Sequence, residues 1–580
     1  MKKAKGIGAR TGAQCVVEGL ERGGCEVLFG YPGGFVLDIF NVLVDSPMRL
    51  VLPRHEQGAV HMADGYARAT GRTGCCLVTS GPGACNTVTG LATAHMDGVP
   101  LVCVCGQVPL PLIGNDAFQE ADITGITRPV TKHNFLVRDV NDLPRILAEA
   151  FCIARDGKPG PVLVDVPKDI QQQTTTAAAP KAVDFPKSRA LETLDTDAVQ
   201  RLADAIQRSH RPMLLAGGGV IRGDASGALQ RLARKASIPV TTTLMGLGAF
   251  PEDDPLALRM AGMHGSPAAN FALNHCDLLI SAGARFADRV TGKLAEFAPH
   301  ATIAHIDCDF SAINKSVATH IGVHAYARPA LEALAKLVPA VKRPTWLAQI
   351  SAWRDGHPLC HVPPPDGRIA PQCVIQTLQD LCHGEAIIVT DVGQHQMWCA
   401  QYLATTRPRA FISSGGLGTM GFGLPAAIGA QIGMPGARVV CVSGDGGIQM
   451  NFQELVVAVE HNLPVKVVVI NNGHLGLVRQ WQELFYGRRY SAVVLGQKGR
   501  PKNEGVTGAG EKYLPDFVAV AKAHGANAAR VTRPEEVRPA LKKAFADNKV
   551  WLIECVVDPD CNVFPIVPPG RPIKEMIFNA

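Results

Sequence analysis

Two residues with oxygen-bearing side chains stand out by their spacing: Asp445, inside Gly444-Asp445-Gly446-Gly447, and Asn472, 27 residues further on at the end of Asn471-Asn472. Carboxylate and amide oxygens are hard ligands, suited to Mg²⁺ that also holds phosphate oxygens. Glycines around the acid let backbone approach a ligand closely. Val439–Ser443, just before Asp445, reads as a buried strand; between the two, Phe452, Leu455, Val456 and Val459 recur at helical spacing, and Val465–Ile470 is a second β-branched run. In such a βαβ unit both strands run parallel, so Asp445 and Asn472 emerge at the same edge, where open α/β sheets bind ligands. A plain glycine-rich βα turn gives the same GDG, and GDG alone is a weak signal. A second acid, Glu56, opens the helical pattern HEQGAVHMADGYARATG. At a helix start it is, by default, a favourable partner for the helix dipole.

The elements that must carry these residues repeat one alternation of apolar strands and helices. Residues 1–185 hold strands at Val27–Phe29, Cys75–Thr79, Leu101–Cys105 and Val162–Val166, with helices near 11–23, 56–70, 84–96 and 142–156. Residues 191–345 repeat the pattern, with strands at Pro212–Ala216, Leu278–Ser281 and Thr302–Ile306 and a helix near 224–236. Residues 371–560 form a third unit, and 561–580 read as a tail that folds over something. The fold class is therefore α/β, with three doubly wound parallel-sheet domains. Residues 171–190 and 341–370 are polar or proline-rich and aperiodic, and read as linkers. The Gly- and Lys-rich stretch 494–513 reads as a surface loop, either solvated or covering an active site.

Composition bounds the function. The 580 residues are 47% hydrophobic and 19% charged, and the net charge of +6 is spread along the chain. That is globular, with no nucleic-acid signature. No run reaches membrane-spanning length and no apolar segment follows the basic N-terminus. The 17 cysteines lack metal-site spacing and sit largely in apolar runs, which points to reduced thiols in a cytoplasmic protein.

GDG followed at this distance by NN resembles the thiamine-diphosphate-binding motif. RHEQ with GYAR, TSGPG at 79–83, DAFQEAD at 116–122, TKHN at 131–134, GPVLVDVPKDIQ at 160–171, GGLGTMGFGLPAAIGA at 415–430, LVRQWQ at 477–482 and NVFPIVPPG at 562–570 together resemble the large subunit of the acetolactate (acetohydroxyacid) synthases, over nearly the whole chain. The resemblance implies Mg²⁺ on Asp445, Asn472 and the backbone carbonyl of His474. It implies thiamine diphosphate contacts at Gln394, His395, Gly418, Met420, Gly444, Gly446, Gly447, Leu475, Gly476 and Leu477. Glu56 would face N1′ of the aminopyrimidine as general acid/base, and the cofactor would be the electron sink. Gly33 and Gly34 look like a backbone site for the substrate oxyanion. Phe118, Gln119 and Lys168 would line the channel, Arg289 would pair with the acceptor carboxylate, and Trp481 would favour 2-oxobutanoate over a second pyruvate. Read from residues alone, Met420 is a buried gap-filler, His395 a helix-start side chain and Trp481 a core residue.

The same resemblance implies FAD, without redox work, at Lys158, Gly217, Gly218, Gly219, Thr243, Leu244, Gly262, Met263, His264, Gly283, Arg285, Asp288, Arg289 and Asp307. The departures from the family pattern fall here: Ala287 replaces the first acid of RFDDR, Lys158 an arginine, and Ala325-Tyr326 a Gly-Asp pair. The expected activity joins pyruvate to pyruvate or 2-oxobutanoate on the path to valine, leucine and isoleucine. A homodimer or tetramer with the site at the subunit interface and a small regulatory subunit are implied partners. The competing readings are another thiamine enzyme, such as a 2-oxo acid decarboxylase or sulfoacetaldehyde acetyltransferase, and a catalytically silent family member.

Overall fold

The structure is a computed structural model and describes residues 8–181, 183, 191, 193–495 and 514–579. Three six-stranded sheets organise it. The first takes β1 (Val27–Gly30), β2 (Arg49–Val51), β3 (Gly74–Val78), β4 (Leu101–Gln107), β5 (His133–Leu136) and β6 (Pro161–Pro167) in the order β2-β1-β3-β4-β6-β5. The second takes β7 (Pro212–Ala216), β8 (Val240–Thr242), β9 (Ala257–Met260), β10 (Leu278–Ala282), β11 (Thr302–Asp307) and β12 (Ile321–His324) in the order β9-β8-β7-β10-β11-β12. The third takes β13 (Ile387–Thr390), β14 (Phe411–Ile412), β15 (Val439–Gly444), β16 (Lys466–Asn471), β17 (Asn527–Val531) and β18 (Trp551–Val556) in the order β14-β13-β15-β16-β18-β17.

Every neighbouring pair in the first two sheets is parallel, as are β15–β16, β16–β18 and β17–β18 in the third. Parallel strands need helical crossovers that cover both faces, so their residues are apolar in continuous runs. β4, β6 and β16 are buried at every position accordingly. The first and third sheets share one strand order without evident sequence identity, because the order follows from crossover geometry and burial.

The chain packs into two compact units. One comprises the described residues of Met1–Phe185 with Ser414–Val439 and Asn451–Val465; the other comprises those of Pro186–Ser413, Val440–Met450 and Lys466–Ala580. Within the first, the Glu56–Thr70 and Gly423–Gly433 helices lie in very close contact: a β-carbon on Gly65 would fall 2.0 Å from the Ala426 carbonyl oxygen, and one on Gly429 1.9 Å from that of Met62.

Two details differ from the sequence expectations, and a third, the tail, agrees with them. The 84–96 helix is two, Pro82–Cys85 and Val88–Asp97, because Thr87 turns its hydroxyl onto the Ala84 carbonyl at 2.6 Å and interrupts the ladder. The 341–370 stretch contains a helix, Pro344–Gly356, with proline at its first turn and Trp346 and Ile350 buried. The tail beyond 560 is packed: Ile573 joins Phe286, Phe297 and Trp346 in an apolar core, and the tail bridges back at Gly292–Pro572. The 494–513 segment lies, from residue 496 on, outside the described residues. No helix among the described residues is long and apolar enough to cross a membrane.

Candidate active site

In the second unit, β15 ends at Gly444 and Asp445 begins the next turn, while β16 ends at Asn471. β15 and β16 pair in parallel register up to Gly444–Ile470, which brings Asp445 and Asn472 to one sheet edge. The Asp445 carboxylate is buried and accepts from the Gly473 N–H at 2.6 Å and the Gly446 N–H at 3.0 Å. Burial outweighs those hydrogen bonds and pushes its carboxyl up to about 7. Asn472 donates to Gln394 Oε1 at 3.2 Å, and its own Oδ1 accepts from the His474 N–H at 3.0 Å. Gln394 also donates to Gln480, which is anchored on Val563.

Side-chain ends crowd the glycines at this edge. A β-carbon on Gly476 would sit 2.1 Å from Gln394 Oε1, and one on Gly447 2.6 Å from Asp391 Oδ1. His395 lies against Gly444, where a β-carbon would approach Nδ1 to 3.0 Å. Among the described residues its Nε2 is buried without a hydrogen-bond partner, and burial lowers its proton affinity to about 3. An orphaned buried imidazole beside a carboxylate and an amide fits a diphosphate held through a divalent cation. Among the described residues no three His, Cys, Asp or Glu side chains converge on one metal position; a cation at Asp445 therefore needs amide and carbonyl oxygens, the donor set expected of Asn472 and residue 474.

Glu56 belongs to the first unit, at the first turn of its helix behind a His55 cap that accepts from the Gln57 N–H. The Thr79–Gly83 turn lies in the middle of the other proposed residues. Gly33 packs against Thr79 (β-carbon approach 2.5 Å), Gly81 against the Gln119 backbone (2.6 Å) and Gly83 against Glu56 Oε1 (3.2 Å). Gly81 and Gln119 both have positive φ, at 57° and 59°. Lys168 donates to the Gly34 carbonyl at 2.9 Å and lies over the Phe35 ring, so Gly34, Lys168, Gln119 and Glu56 are brought around one turn. Phe118 is 81% exposed.

Gly418 (φ 72°) and Met420 share this unit, on a loop that is tied down at both ends. Asp97 accepts from the Gly415 and Gly416 N–H groups, Thr93 bonds Thr419, and Asn451 donates to the Gly421 carbonyl. Arg68, held between buried Asp64 and Asp97, supports that anchor. These supports carry no motif that sequence reading could use: Thr93 and Asp97 lie on the Val88–Asp97 helix, Asp64 and Arg68 on the Glu56–Thr70 helix, and Asn451 just before a short turn.

The proposed flavin residues lie at the carboxyl ends of parallel strands: Gly217 after β7, Thr243 after β8, Gly262 after β9, Gly283 after β10 and Asp307 closing β11. That placement fits a nucleotide crevice. The Gly217 and Gly219 N–H groups donate to the Ala282 and Gly283 carbonyls. Gly262 (φ 102°) lets the chain pass the Arg289 carbonyl, which accepts from the Met263 N–H. Leu244 packs on the core of the third sheet, and His264 is buried, with burial lowering its proton affinity to about 4. Lys158 is partly buried, whereas Arg285, Asp288 and Arg289 are exposed. Arg289 pairs with Asp288 at 2.6 Å, and its guanidinium lies 5.7 Å above the Trp481 ring. The helix Gly476–Phe485 presents Leu477 and Trp481 one turn apart.

Three parallel sheets, with a buried acid and an asparagine at the carboxyl edge of the third, define a thiamine pyrophosphate enzyme. Residues 10–126 match the N-terminal TPP binding domain of those enzymes, 199–334 the central domain and 391–555 the C-terminal TPP binding domain. Within that class, the chain belongs to the acetolactate synthase large-subunit family. It is 45% identical over 577 residues to the acetolactate synthase large subunit of Parasynechococcus marenigrum (strain WH8102), covering 98% of this chain and 91% of that one. It is 44% identical over 576 residues to the acetolactate synthase isozyme 2 large subunit of Escherichia coli (strain K12), with 98% and 99% covered. Against acetolactate synthase 1, chloroplastic, of Zea mays it is 46% identical over 581 residues, with 98% and 89% covered.

Proposed function

We propose that the chain is the catalytic subunit of an acetolactate synthase. It decarboxylates one pyruvate and joins the remaining two-carbon unit to a second 2-oxo acid, giving 2-acetolactate from pyruvate or 2-aceto-2-hydroxybutanoate from 2-oxobutanoate. The observation that carries this reading is the likeness to acetolactate synthases along 98% of the chain. The Arg289–Trp481 pair supports its acceptor half.

Thiamine diphosphate, when bound, supplies the electron sink that lets pyruvate lose CO₂. Asp445, Asn472 and the backbone carbonyl of His474 would hold Mg²⁺. Gln394 and His395 would meet the diphosphate, with Leu475, Gly476 and Leu477 beside it. Gly418 and Met420 would fix the orientation of the pyrimidine. Glu56 holds and returns a proton at its carboxyl oxygen. Gly34 and Gln119 orient the pyruvate carbonyl beside the turn that Lys168 braces, and Phe118 guards the channel. Arg289 offers a fork of donors to the acceptor carboxylate, and Trp481 a flat apolar wall to its alkyl end.

FAD would occupy the carboxyl edge of the second sheet. Two pyruvates become acetolactate and CO₂ without net oxidation, so a flavin there is structural. A homodimer or tetramer with the site at the subunit interface is the assembly that goes with this reading. The term "large subunit" in the relatives' names supports a small regulatory partner. A cytoplasmic location fits the free, largely buried cysteines.

The test is purified protein given pyruvate with and without thiamine diphosphate, Mg²⁺ and FAD. Acetolactate should appear only with the first two present. CO₂ release without acetolactate would favour a simple decarboxylase.

A further inference from the structure

Among the described residues, the Glu56 carboxylate has one hydrogen-bond partner from another element: Asn86 Nδ2 donates to Glu56 Oε2 at 3.0 Å. We propose that Asn86 is a positioning residue, which clamps one oxygen of Glu56 and leaves the other, Oε1, as the oxygen that carries the exchanged proton. This rests on the reading of Glu56 given above.

Three observations support it. First, the backbone beneath Asn86 is fixed. It closes the short Pro82–Cys85 helix, its N–H donates to the Pro82 carbonyl at 2.9 Å, and the next residue, Thr87, is buried with its hydroxyl on Ala84. An amide leaving such a turn loses little freedom on reaching its partner. Second, the same turn shapes the space at the other oxygen. A β-carbon at Gly83 would lie 3.2 Å from Oε1 and 2.8 Å from Thr79 Cγ2, so glycine keeps that side open. One turn thus holds Oε2 and clears Oε1. Third, an amide N–H only donates. The oxygen facing it keeps its lone pair engaged, and a proton taken up by the carboxyl goes to Oε1. An exposed hydrogen bond of this kind contributes little to folding, so its placement matters more to proton transfer than to stability.

The experiment compares wild type, Asn86→Ala, Asn86→Asp and Glu56→Gln, each reconstituted with thiamine diphosphate and Mg²⁺. Asn86→Ala should melt within about 2 °C of wild type. Its kcat should fall roughly 10- to 100-fold with KM for pyruvate little changed, the penalty for a catalytic group displaced by about 1 Å. A crystal structure of cofactor-free Asn86→Ala should show the Glu56 carboxyl rotated from its wild-type position. Asn86→Asp sets two carboxylates face to face and should move the acidic limb of the kcat/KM profile up by about half a pH unit or more. A Glu56 carboxyl unmoved in Asn86→Ala, with an Asn86→Asp profile that superimposes on wild type, overturns the proposal. Turnover by Glu56→Gln overturns instead the reading it rests on. If Asn86→Ala melts early, the isosteric Asn86→Asp still decides through its pH limb.

Discussion

Asp445 combines two properties that pull against each other: it is the carboxylate proposed to hold a cation, and burial raises its proton affinity to about 7. A raised carboxyl favours the protonated form, which cannot ligate a cation. A cation held there would therefore displace a proton below neutrality. Apparent Mg²⁺ affinity, measured by calorimetry with thiamine diphosphate present, should fall about tenfold per pH unit below pH 7 and level off above it. A flat profile from pH 5.5 to 7.5 would show the carboxylate already ionised. Trp481 and Arg289 make a second pair whose meaning is local. Trp481→Leu removes the wall but leaves the guanidinium. With pyruvate and 2-oxobutanoate in competition, the preference for the larger acceptor should drop roughly 10-fold or more, the worth of about one methylene contact. An unchanged product ratio removes Trp481 from the acceptor pocket.

At the scale of elements, the Glu56–Thr70 helix does two jobs in one unit. Its first residue is the proposed acid, and its last turn supplies Arg68 to the Asp97 anchor that holds the Gly415–Gly416 backbone. The helix is located by glycine: Gly65 and Gly429 let it and the Gly423–Gly433 helix approach until a β-carbon would overlap backbone oxygen. Backbone cannot yield as a side chain can. Gly429→Ala should therefore separate the helices and cost about 3 kcal/mol or more, read as a lower melting temperature and loss of turnover. A variant as stable as wild type would show that the pair has slack. The helix that carries GYAR was legible from the sequence, whereas GLPAAIGA was legible only as a motif, and nothing in either names the other as its partner.

Across the whole molecule, buried charges tie stability to pH. Glu252 lies buried with one oxygen accepting from the Thr405 N–H, and burial raises its carboxyl from 4.5 to about 7. The folded state thus binds this proton more tightly than the unfolded chain. Its contribution is full below pH 4.5 and is lost as pH rises through 7. Glu252→Gln carries no such proton, so its stability relative to wild type should improve between pH 5 and pH 8, by about 2–3 kcal/mol. Parallel denaturation curves at the two pH values that show no relative gain would exclude the linkage.

The sequence alone determined the three α/β repeats, the Asp445–Asn472 turn and the family, because strand period, glycine punctuation and motif spacing are local and survive without coordinates. It also made Glu56 legible as the first residue of a helix. It did not determine the Pro344–Gly356 helix, whose prolines read as linker until Trp346 found a core to enter. Nor did it determine the placement of the Gly415–Met420 loop on Asp97, the seating of Arg289 over Trp481, or the reach of Asn86 to Glu56. Those depend on which side chains meet across distant parts of the chain, and that is set only when crossover connections bring separate strand ends to one edge.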